Sequence, residues 1–375
     1  MLNKKTILFF TDDTNADMVN NVVKELPTDG SVVNLVIRRK ELQNELFNKI
    51  YDKILPEENN LRRKINDLLL EKNAKNNTKR IPQKIAYSSH NSMQKRIYNS
   101  LVRYNPTLVV VDTHLLLPDV IAALDKYGHR ARLAVICDEF VLDKRLIHRR
   151  VDYYFVDNFG MRNDLSDGGV NGERIIISGY PVDKKAFDVM DREQALKKFA
   201  LENSPVILVS ASVAGDERFI KVVKSLDDAD LDANIVVACG KSAEFINSVR
   251  DMGLYAYNDG IDMNAALDAC SALVCRPTTM LLAEAIAKKK KIFTLLPLGK
   301  AEEDNMKYLS HDLVTVATDS DDLVKKVKLF LETKTVAETP ATEEEKDDNM
   351  DKEDYLETFD SLGAKRIASK LITLA

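Results

Sequence analysis

The sequence predicts an α/β protein with two doubly wound domains, each built on a parallel sheet. Short apolar runs typical of buried strands alternate along the chain with longer segments whose apolar residues recur every three to four positions, as on a helix. Polar turns follow successive runs, as in open sheets that bind a ligand at one edge. The 375 residues are enough for two domains of ordinary size.

Composition argues against several functional classes. The formal net charge of -5 gives no reason to expect nucleic acid as a partner. No run approaches the roughly twenty apolar residues that span a bilayer, and no basic N-terminus leads into an apolar core, so we expect a cytoplasmic protein. The four cysteines lie in or beside apolar runs and lack metal-ligand spacing with the five histidines, which predicts buried free thiols.

The first predicted domain covers residues 1–183. Its predicted strands are residues 6–11, 32–36, 108–112, 133–138, 151–156 and 175–179. A helix is predicted after the first strand, over residues 16–26. Residues 41–103 are polar with apolar residues at helical spacing, and the lack of periodicity over residues 72–84 predicts a loop between helices.

Three strand ends of this domain carry residues suited to chemistry or to capping. Asn15 closes an acidic turn after the first strand, His114 follows the third strand, and Asp138 ends the fourth. A neutral imidazole or a carboxylate at such a position can accept a proton. The alternative is a structural role, with the acidic side chains capping the turn or helix that follows, and the sequence leaves both roles open.

The second predicted domain covers residues 205–332 and follows a linker helix over residues 184–204. Its first strand, residues 205–209, leads into a loop of small residues that contains Ser212 and Gly215. A small side chain, and above all glycine, lets backbone amides approach a bound phosphate. The loop is therefore a candidate for contact with a phosphorylated ligand.

The stretch of residues 271–309 is the strongest candidate for ligand binding. Its first apolar run reads as a strand, and a helix is predicted to begin at Thr278. The unpaired N–H groups of such a helix start attract anions, including the phosphates of a nucleotide. Glu284 lies about two turns into the helix, and a second strand is followed by an acidic turn that reaches Asn305.

Two motifs in this stretch, R-P-T-T-x-x-x-x-E-A and P-L-G-K-A-E-E-D-N-x-x-Y-L, resemble the donor-sugar motif of one glycosyltransferase family. The family contains monogalactosyldiacylglycerol synthases and processive diacylglycerol glucosyltransferases, with the enzyme that adds N-acetylglucosamine to a peptidoglycan lipid as a more distant relative. The first domain carries similar phrases, V-I-C-D, I-H-x-x-V-D-x-Y-F-V and S-G-Y-P-V-D. The resemblance covers nearly the whole chain and is weakest over residues 40–100.

The resemblance implies the GT-B fold, in which two Rossmann-like doubly wound domains face a cleft. It implies inverting transfer of a hexose from a UDP-sugar to a lipid acceptor such as diacylglycerol, with no cofactor besides the nucleotide-sugar donor. No metal is expected, because no Asp-x-Asp pair stands at the predicted donor site. The implied catalytic candidates are Asp138 and His114. The implied donor-binding candidates are Ser212, Gly215, Gly240, Asp262, Met263, Arg276, Thr278, Thr279, Glu284 and Asn305.

The resemblance also implies contact with a membrane. Basic and apolar residues are interleaved over residues 79–103, a mixture that suits the surface of an anionic membrane. The alternative is a solvated helix whose apolar side packs on its own domain. We expect a cytoplasmic protein, with peripheral association at the inner face of the membrane as an open alternative.

Four departures from the family pattern lie on the predicted ligand rim. Asn15 replaces a histidine, the loop around Ser212 lacks most of its glycines, the pair at residues 278–279 replaces two glycines, and Ala301 replaces a glutamine. These departures motivate a second hypothesis, a catalytically degenerate relative that serves as a scaffold or partner subunit. The sequence supports both hypotheses.

The C-terminal part of the chain contains two contrasting segments. Residues 333–351 are acidic and have too little apolar content to fold, which predicts a disordered loop. Residues 352–375 carry an amphipathic pattern that predicts a helix. This helix resembles the closing helix of the family, and the resemblance implies that it crosses back to the first domain.

Overall fold

The computed structural model describes residues 5–12, 15–42, 80–210, 217–258, 260–297, 300–309, 314–336 and 358–375. The chain divides into two compact units. The first contains Met1–Asp183 and Asp360–Ala375, and the second contains Lys184–Phe359. The C-terminal helix therefore belongs to the first unit, and residues 184–204 belong to the second.

The first unit is built on a parallel sheet. Its strands, among the described residues, are β1 (Lys5–Thr11), β2 (Val32–Arg38), β3 (Leu108–Val111), β4 (Arg132–Ile136), β5 (Tyr153–Val156) and β6 (Ile175–Ile177). They lie side by side in the order β2-β1-β3-β4-β5-β6. The central strands are buried along almost their whole length, which explains their apolar runs: both faces of a parallel sheet are covered.

Helices connect these strands. They are α1 (Ala16–Lys24), α2 (Arg39–Leu42), α3 (Arg80–Tyr104), α4 (Leu117–Lys126) and α5 (Phe159–Asp167). The prediction of a loop through residue 84 is wrong for residues 80–84, which form the start of α3. Pro82 lies in the first turn of α3, where the missing N–H of proline costs no hydrogen bond. The rest of that predicted loop and the apolar pattern of residues 43–71 lie outside the described residues.

The second unit is built on another parallel sheet. Its described strands are β7 (Val206–Ser210), β8 (Asn234–Ala238), β9 (Tyr255–Tyr257), β10 (Ala272–Cys275), β11 (Lys291–Leu295) and β12 (Val314–Ala317). Their order is β12-β11-β10-β7-β8-β9. Short connections join each strand to the helix that follows it, as expected for alternating strands and helices.

The helices of the second unit are α6 (Arg192–Lys198), α7 (Glu217–Asp228), α8 (Ala243–Asp251), α9 (Met263–Ala269), α10 (Thr279–Ala287), α11 (Lys300–Tyr308) and α12 (Ser320–Val336). The predicted linker helix is shorter than expected, because Asp191 caps α6 and Ala200, with φ +52°, lies just beyond it. The helix α12 continues to Val336, so the prediction of a loop is wrong for residues 333–336. Residues 337–351 lie outside the described residues.

Each sheet has one point where the strand order changes direction. In the first sheet it lies between β1 and β3, and in the second it lies between β7 and β10. Open parallel sheets bind ligands outside the carboxyl ends of the strands at such a point. Asn15 and His114 follow β1 and β3, and Arg276 follows β10, so sequence candidates lie at both points.

Each unit has its own apolar core. In the first, Leu8, Val109 and Val135 from neighbouring strands pack with α3 and α4. In the second, Val209 and Val274 pack with α7 and α12. All four cysteines are free and buried, as predicted from the apolar runs around them.

The C-terminal helix α13 (Gly363–Leu374) is part of the first unit, and its first residue lies close to the backbone of Tyr180. A Cβ on Gly363 would overlap the Tyr180 carbonyl oxygen and would lie 3.0 Å from the carbonyl carbon of Tyr180 and 3.2 Å from that of Gly179. We expect Gly363→Ala to lower the free energy of unfolding of the first unit by about 1–3 kcal/mol, because overpacking forces backbone shifts. Urea unfolding of the full chain measures this loss.

Gly172→Ala is the control for this prediction. The nearest atom to a Cβ on Gly172 is Arg162 Nη2 at 3.9 Å, which is ordinary contact. Its unfolding midpoint should match that of the wild type. An unchanged midpoint for Gly363→Ala would show that α13 does not depend on this close approach.

Candidate functional site

The carboxyl ends of four strands in the first unit each carry an aspartate. Asp12 follows β1, Asp112 follows β3, Asp138 lies two residues after β4, and Asp157 follows β5. Because parallel strands end at the same edge of a sheet, these four residues form an acidic rim. Arg39 offsets part of its charge, since its Nη1 lies 3.2 Å from Asp12 Oδ2.

Asp138 is a half-buried member of the acidic rim, and its side chain has a direct partner from the end of another strand. The Nδ2 of Asn15 donates a hydrogen bond of 2.6 Å to Asp138 Oδ2. Burial raises the pKa of Asp138 well above its usual value, the negative charges of Glu139 and Asp112 raise it further, and the hydrogen bond from Asn15 opposes the rise. A carboxyl group whose pKa lies closer to neutrality is better suited to general base catalysis.

Two other members of the acidic rim are buried. Asp112 is 1% exposed and Asp157 is 3% exposed. Thr11 Oγ1 donates to Asp112 Oδ2, while Asp112 Oδ1 and Asp157 Oδ2 have no hydrogen-bond partner in the described part of the chain. Burial raises the pKa of Asp112 to about 8, and burial followed by the charge of Glu139 raises the pKa of Asp157.

His114 is held by a carboxylate. Its Nδ1 lies 2.8 Å from Asp143 Oδ2, and Asp143 also accepts hydrogen bonds of 2.9 Å from the backbone N–H and the Nε of Arg145. Although burial favours the neutral acid, the hydrogen bonds from His114 and Arg145 hold the pKa of Asp143 well below its usual range. The other ring nitrogen of His114, Nε2, is buried without a hydrogen-bond partner in the described part of the chain.

His114 and Asp138 occupy equivalent positions on neighbouring strands. Val111 of β3 pairs with Val135 of β4, and each candidate lies three residues beyond its own valine. The structure therefore brings the two catalytic candidates to adjacent strand ends of the first unit.

In the second unit, α10 begins where the sequence predicted. Thr278 is its N-cap residue with an extended backbone, and the Thr278 side chain makes no capping hydrogen bond. Thr278 is exposed and Thr279 is half-buried. Glu284 lies in the second turn of α10 and is half-buried. The first-turn N–H groups of α10 consequently lie at the carboxyl edge of the sheet, next to the switch point.

Arg276 is engaged by an acidic partner. Its Nη2 forms an ion pair with Glu302 Oε1 of α11, and the exposed fractions of the two side chains are 17% and 3%. The Nε of Arg276 is buried and lacks a hydrogen-bond partner among the described residues. The ion pair fixes the guanidinium at the end of β10, and its other N–H groups remain as candidates for an anion.

The remaining donor candidates fall into three groups. Ser212 and Gly215 lie outside the described residues. Gly240 follows β8 with φ +64°, a left-handed turn that favours glycine, while Asn305 is buried within α11. Asp262 is the N-cap of α9 and Met263 is its first residue.

Asp262 has structural partners in the second unit. Its Oδ1 accepts a hydrogen bond of 3.1 Å from the N–H of Ala265, and its Oδ2 forms an ion pair with Lys198. The hydrogen bond from Lys198 lowers the pKa of Asp262. The observed role of Asp262 is thus to start α9.

Sequence reasoning missed several polar residues at these sites. Among them are Asp112, Asp143, Asp157 and the pairing of Asn15 with Asp138. A signal was present for two of them, because the apolar runs of β3 and β5 are each followed at once by an aspartate. Asp143 had no such signal, since it lies in a loop five residues after Asp138.

The described residues give two negative findings. None of the described helices combines the length and apolar character that crossing a membrane requires. Within the same residues, no group of three or more histidine, cysteine, aspartate or glutamate side chains is placed to hold a metal ion.

Comparison with known families gives a match in the first unit. Residues 37–182 match the family model of monogalactosyldiacylglycerol (MGDG) synthase. A processive diacylglycerol beta-glucosyltransferase from Bacillus cytotoxicus is 26% identical over 209 residues, which make up 52% of this chain and 53% of that protein. The match thus spans about half the length of this curated relative. These similarities support the family assignment predicted from the motifs.

Solved structures give the fold. The S. aureus MnaA–UDP co-structure has a TM-score of 0.60 at 13% sequence identity, over 99% of this chain and 98% of that one. CalG4, the calicheamicin glycosyltransferase, has a TM-score of 0.60 at 11% identity, over 100% of this chain and 98% of that one. Together with the two parallel sheets, these likenesses confirm the prediction of a GT-B fold.

Proposed function

We propose that the chain belongs to the glycosyltransferase family of monogalactosyldiacylglycerol synthases and processive diacylglycerol glucosyltransferases, and that it transfers a hexose from a UDP-sugar to a lipid acceptor. Diacylglycerol is the acceptor that the names of these relatives suggest. The anomeric carbon is inverted in the reaction, and no metal takes part. The relatives that are named for this activity match only part of the chain, and the proposal assigns the activity to the whole chain.

The observation that carries this proposal is the position of α10. Its N-terminus lies at the switch point of the second sheet, where the first-turn N–H groups and the helix dipole favour the diphosphate of the donor. Arg276 adds a fixed positive charge at the end of the neighbouring strand. Glu284 accepts hydrogen bonds from the ribose hydroxyls. MnaA, which shares this fold, was solved with UDP.

The proposed reaction is a single displacement. The oxygen of the acceptor hydroxyl attacks the anomeric carbon of the hexose, and the bond between that carbon and the diphosphate breaks. The hydroxyl proton goes to a base in the first unit, Asp138 or His114, and UDP leaves with the electron pair of the broken bond. The charge that develops on the diphosphate is stabilised by the N–H groups of α10 and by Arg276.

A second candidate function is that of a degenerate partner subunit. The observation that favours it is that two donor candidates are already paired within the second unit, Arg276 with Glu302 and Asp262 with Lys198. In this alternative the ion pairs stabilise the second unit and no nucleotide binds. A measurement of UDP binding distinguishes the transferase from the partner subunit, because only the transferase is expected to bind UDP.

Titration calorimetry with UDP is the first test, and Glu284→Ala is its critical variant. We expect the wild type to bind UDP and the variant to bind it about 10- to 100-fold more weakly, because a carboxylate that accepts ribose hydrogen bonds is removed. Glu244→Ala is the matched control, since Glu244 is an exposed carboxylate on α8 of the same unit, and it should bind UDP like the wild type. Wild-type affinity in Glu284→Ala would overturn the ribose contact.

The reaction itself is tested by UDP release. The full chain is incubated with UDP-glucose or UDP-galactose and vesicles that contain diacylglycerol, and released UDP and glycosylated lipid are quantified. Equal amounts of both products support the transferase. Absence of both products, combined with absence of UDP binding, favours the partner subunit.

A further inference from the structure

Asn15 has a contact that its position in the sequence does not suggest. It occupies the N-cap position of α1, where asparagine commonly caps the helix through its side chain. The Asn15 side chain makes no capping hydrogen bond to α1. Instead, its Nδ2 donates the 2.6 Å hydrogen bond to Asp138 Oδ2, across 123 residues of sequence. The side-chain amide of Asn15, which could cap α1, therefore binds the carboxylate of Asp138 at the end of β4.

The surroundings make Asp138 a better candidate for proton transfer than His114. Asp138 is half-buried, so the residue is partly exposed at the surface of the first unit. In His114, Nδ1 is engaged by Asp143 and the Nε2 atom is buried. An acceptor hydroxyl has to approach the base to within about 3 Å, which an accessible oxygen allows and a buried nitrogen does not.

We propose that Asn15 is a positioning residue for Asp138, which acts as the base of the transfer. The amide holds Oδ2, so that Oδ1 is oriented toward the hydroxyl of the acceptor. This inference rests on the proposed function. In the reaction, Oδ1 takes the hydroxyl proton as the oxygen bonds to the anomeric carbon and UDP leaves, and the neutral acid then returns the proton to water.

An amide suits this role because it does not titrate. An asparagine N–H donates at every pH at which the protein is folded, and it cannot take the proton in place of the carboxylate. In this proposal the position at which the family has a histidine still serves the transfer, because Asn15 orients the carboxylate and Asp138 takes the proton.

The titratable and charged groups that surround Asp138 decide the sign of the pH effect. They follow β1, β2, β3, β4 and β5 or lie in the loop after β4, and they are Asp12, Arg39, Asp112, His114, Glu139, Asp143 and Asp157. Burial, Glu139 and Asp112 raise the pKa of Asp138, while the hydrogen bond from Asn15 lowers it. Removal of Asn15 therefore raises the pKa of Asp138 further.

Asn15→Ala is the test variant. A base must be ionised, so activity is lost as the pH falls through the pKa of Asp138. We expect the acidic limb of the kcat profile to move to higher pH in Asn15→Ala. We also expect kcat at its optimum to fall about 10- to 100-fold with the KM for the UDP-sugar unchanged, because the carboxylate loses its fixed orientation.

Two further variants separate positioning from helix capping. Asn15→Ser keeps a residue that caps helices well, but its shorter hydroxyl does not span the distance to Asp138, so we expect it to behave like Asn15→Ala. Asn171→Ala removes a capping hydrogen bond of 2.9 Å to Glu173 elsewhere in the first unit and should leave the kcat profile unchanged. Wild-type activity in Asn15→Ser would assign Asn15 to capping and would overturn the proposal.

A direct titration distinguishes failure of this inference from failure of the proposed function. The carboxyl carbon of Asp138 is followed by 13C NMR across pH in the wild type and in Asn15→Ala, with Asp138→Asn used to assign the signal. A higher pKa in Asn15→Ala supports the contact, and an unchanged pKa overturns it even if the wild type transfers hexose. Absence of hexose transfer by the wild type overturns the catalytic role of both residues.

Discussion

Asp138→Asn is expected to lower kcat for hexose transfer by about 10²- to 10⁴-fold, the range typical for loss of a general base. The substitution preserves the shape of the side chain, and its amide oxygen still accepts the hydrogen bond from Asn15. UDP affinity should remain that of the wild type, because the donor candidates lie in the second unit. Steady-state kinetics together with UDP calorimetry measure the two quantities on the same preparation.

Asp157→Asn is the matched control for this prediction. Asp157 also follows a strand of the first sheet, but it is buried and its pKa is raised by burial and by Glu139, so an amide replaces it with little chemical change. Its kcat should stay within a few-fold of the wild type. If Asp138→Asn kept most of its activity while His114→Gln lost it, His114 would be the base.

Lys288→Met is expected to give the largest loss of stability in the second unit. Lys288 Nζ lies 2.7 Å from Asp268 Oδ1, and both side chains are 1% exposed. The substitution leaves the carboxylate of Asp268 buried without its cation, which costs about 3–5 kcal/mol of unfolding free energy. This loss is measured by urea unfolding of the full chain, in which the unfolding transition of the second unit is monitored.

The position of this ion pair links stability to the proposed donor site. Lys288 is the C-cap residue of α10, and Asp268 also accepts a hydrogen bond of 3.1 Å from the N–H of Met190. The pair therefore anchors the end of α10 opposite to the N-terminus proposed to bind phosphate. We expect Lys288→Met to weaken UDP binding as well as stability.

Two controls test the origin of the loss. Lys197→Met removes an ion pair with Glu193 whose side chains are 72% and 73% exposed, and it should leave the unfolding midpoint unchanged. Asp268→Asn combined with Lys288→Met removes both charges and keeps an acceptor for Met190, so it should recover part of the lost stability. Equal stability of the single and double variants would show that the unpaired charge is not the cause.

The sequence predicted the elements that depend on neighbouring residues. The strand before Arg276 and the helix that starts after Thr278 were predicted from the spacing of apolar residues over about fifteen positions. Such a short stretch is enough because the face of a strand or helix that is buried carries apolar residues at a regular spacing. Errors occurred where local patterning is weak. Residues 80–84 were predicted to lie in a loop but form the first described turn of α3, and residues 333–336 were predicted to lie in the acidic loop but form the last turn of α12.

By itself, the sequence determined the fold class, the strand ends that carry polar residues and the helix start proposed for phosphate binding, since each is set by a short stretch of chain. Only the tertiary structure decided which of these groups meet. Asn15 reaches Asp138 and Arg276 reaches Glu302 because the order of parallel strands brings distant strand ends to one edge of a sheet. No spacing within the sequence encodes that order, because it results from packing of the whole unit.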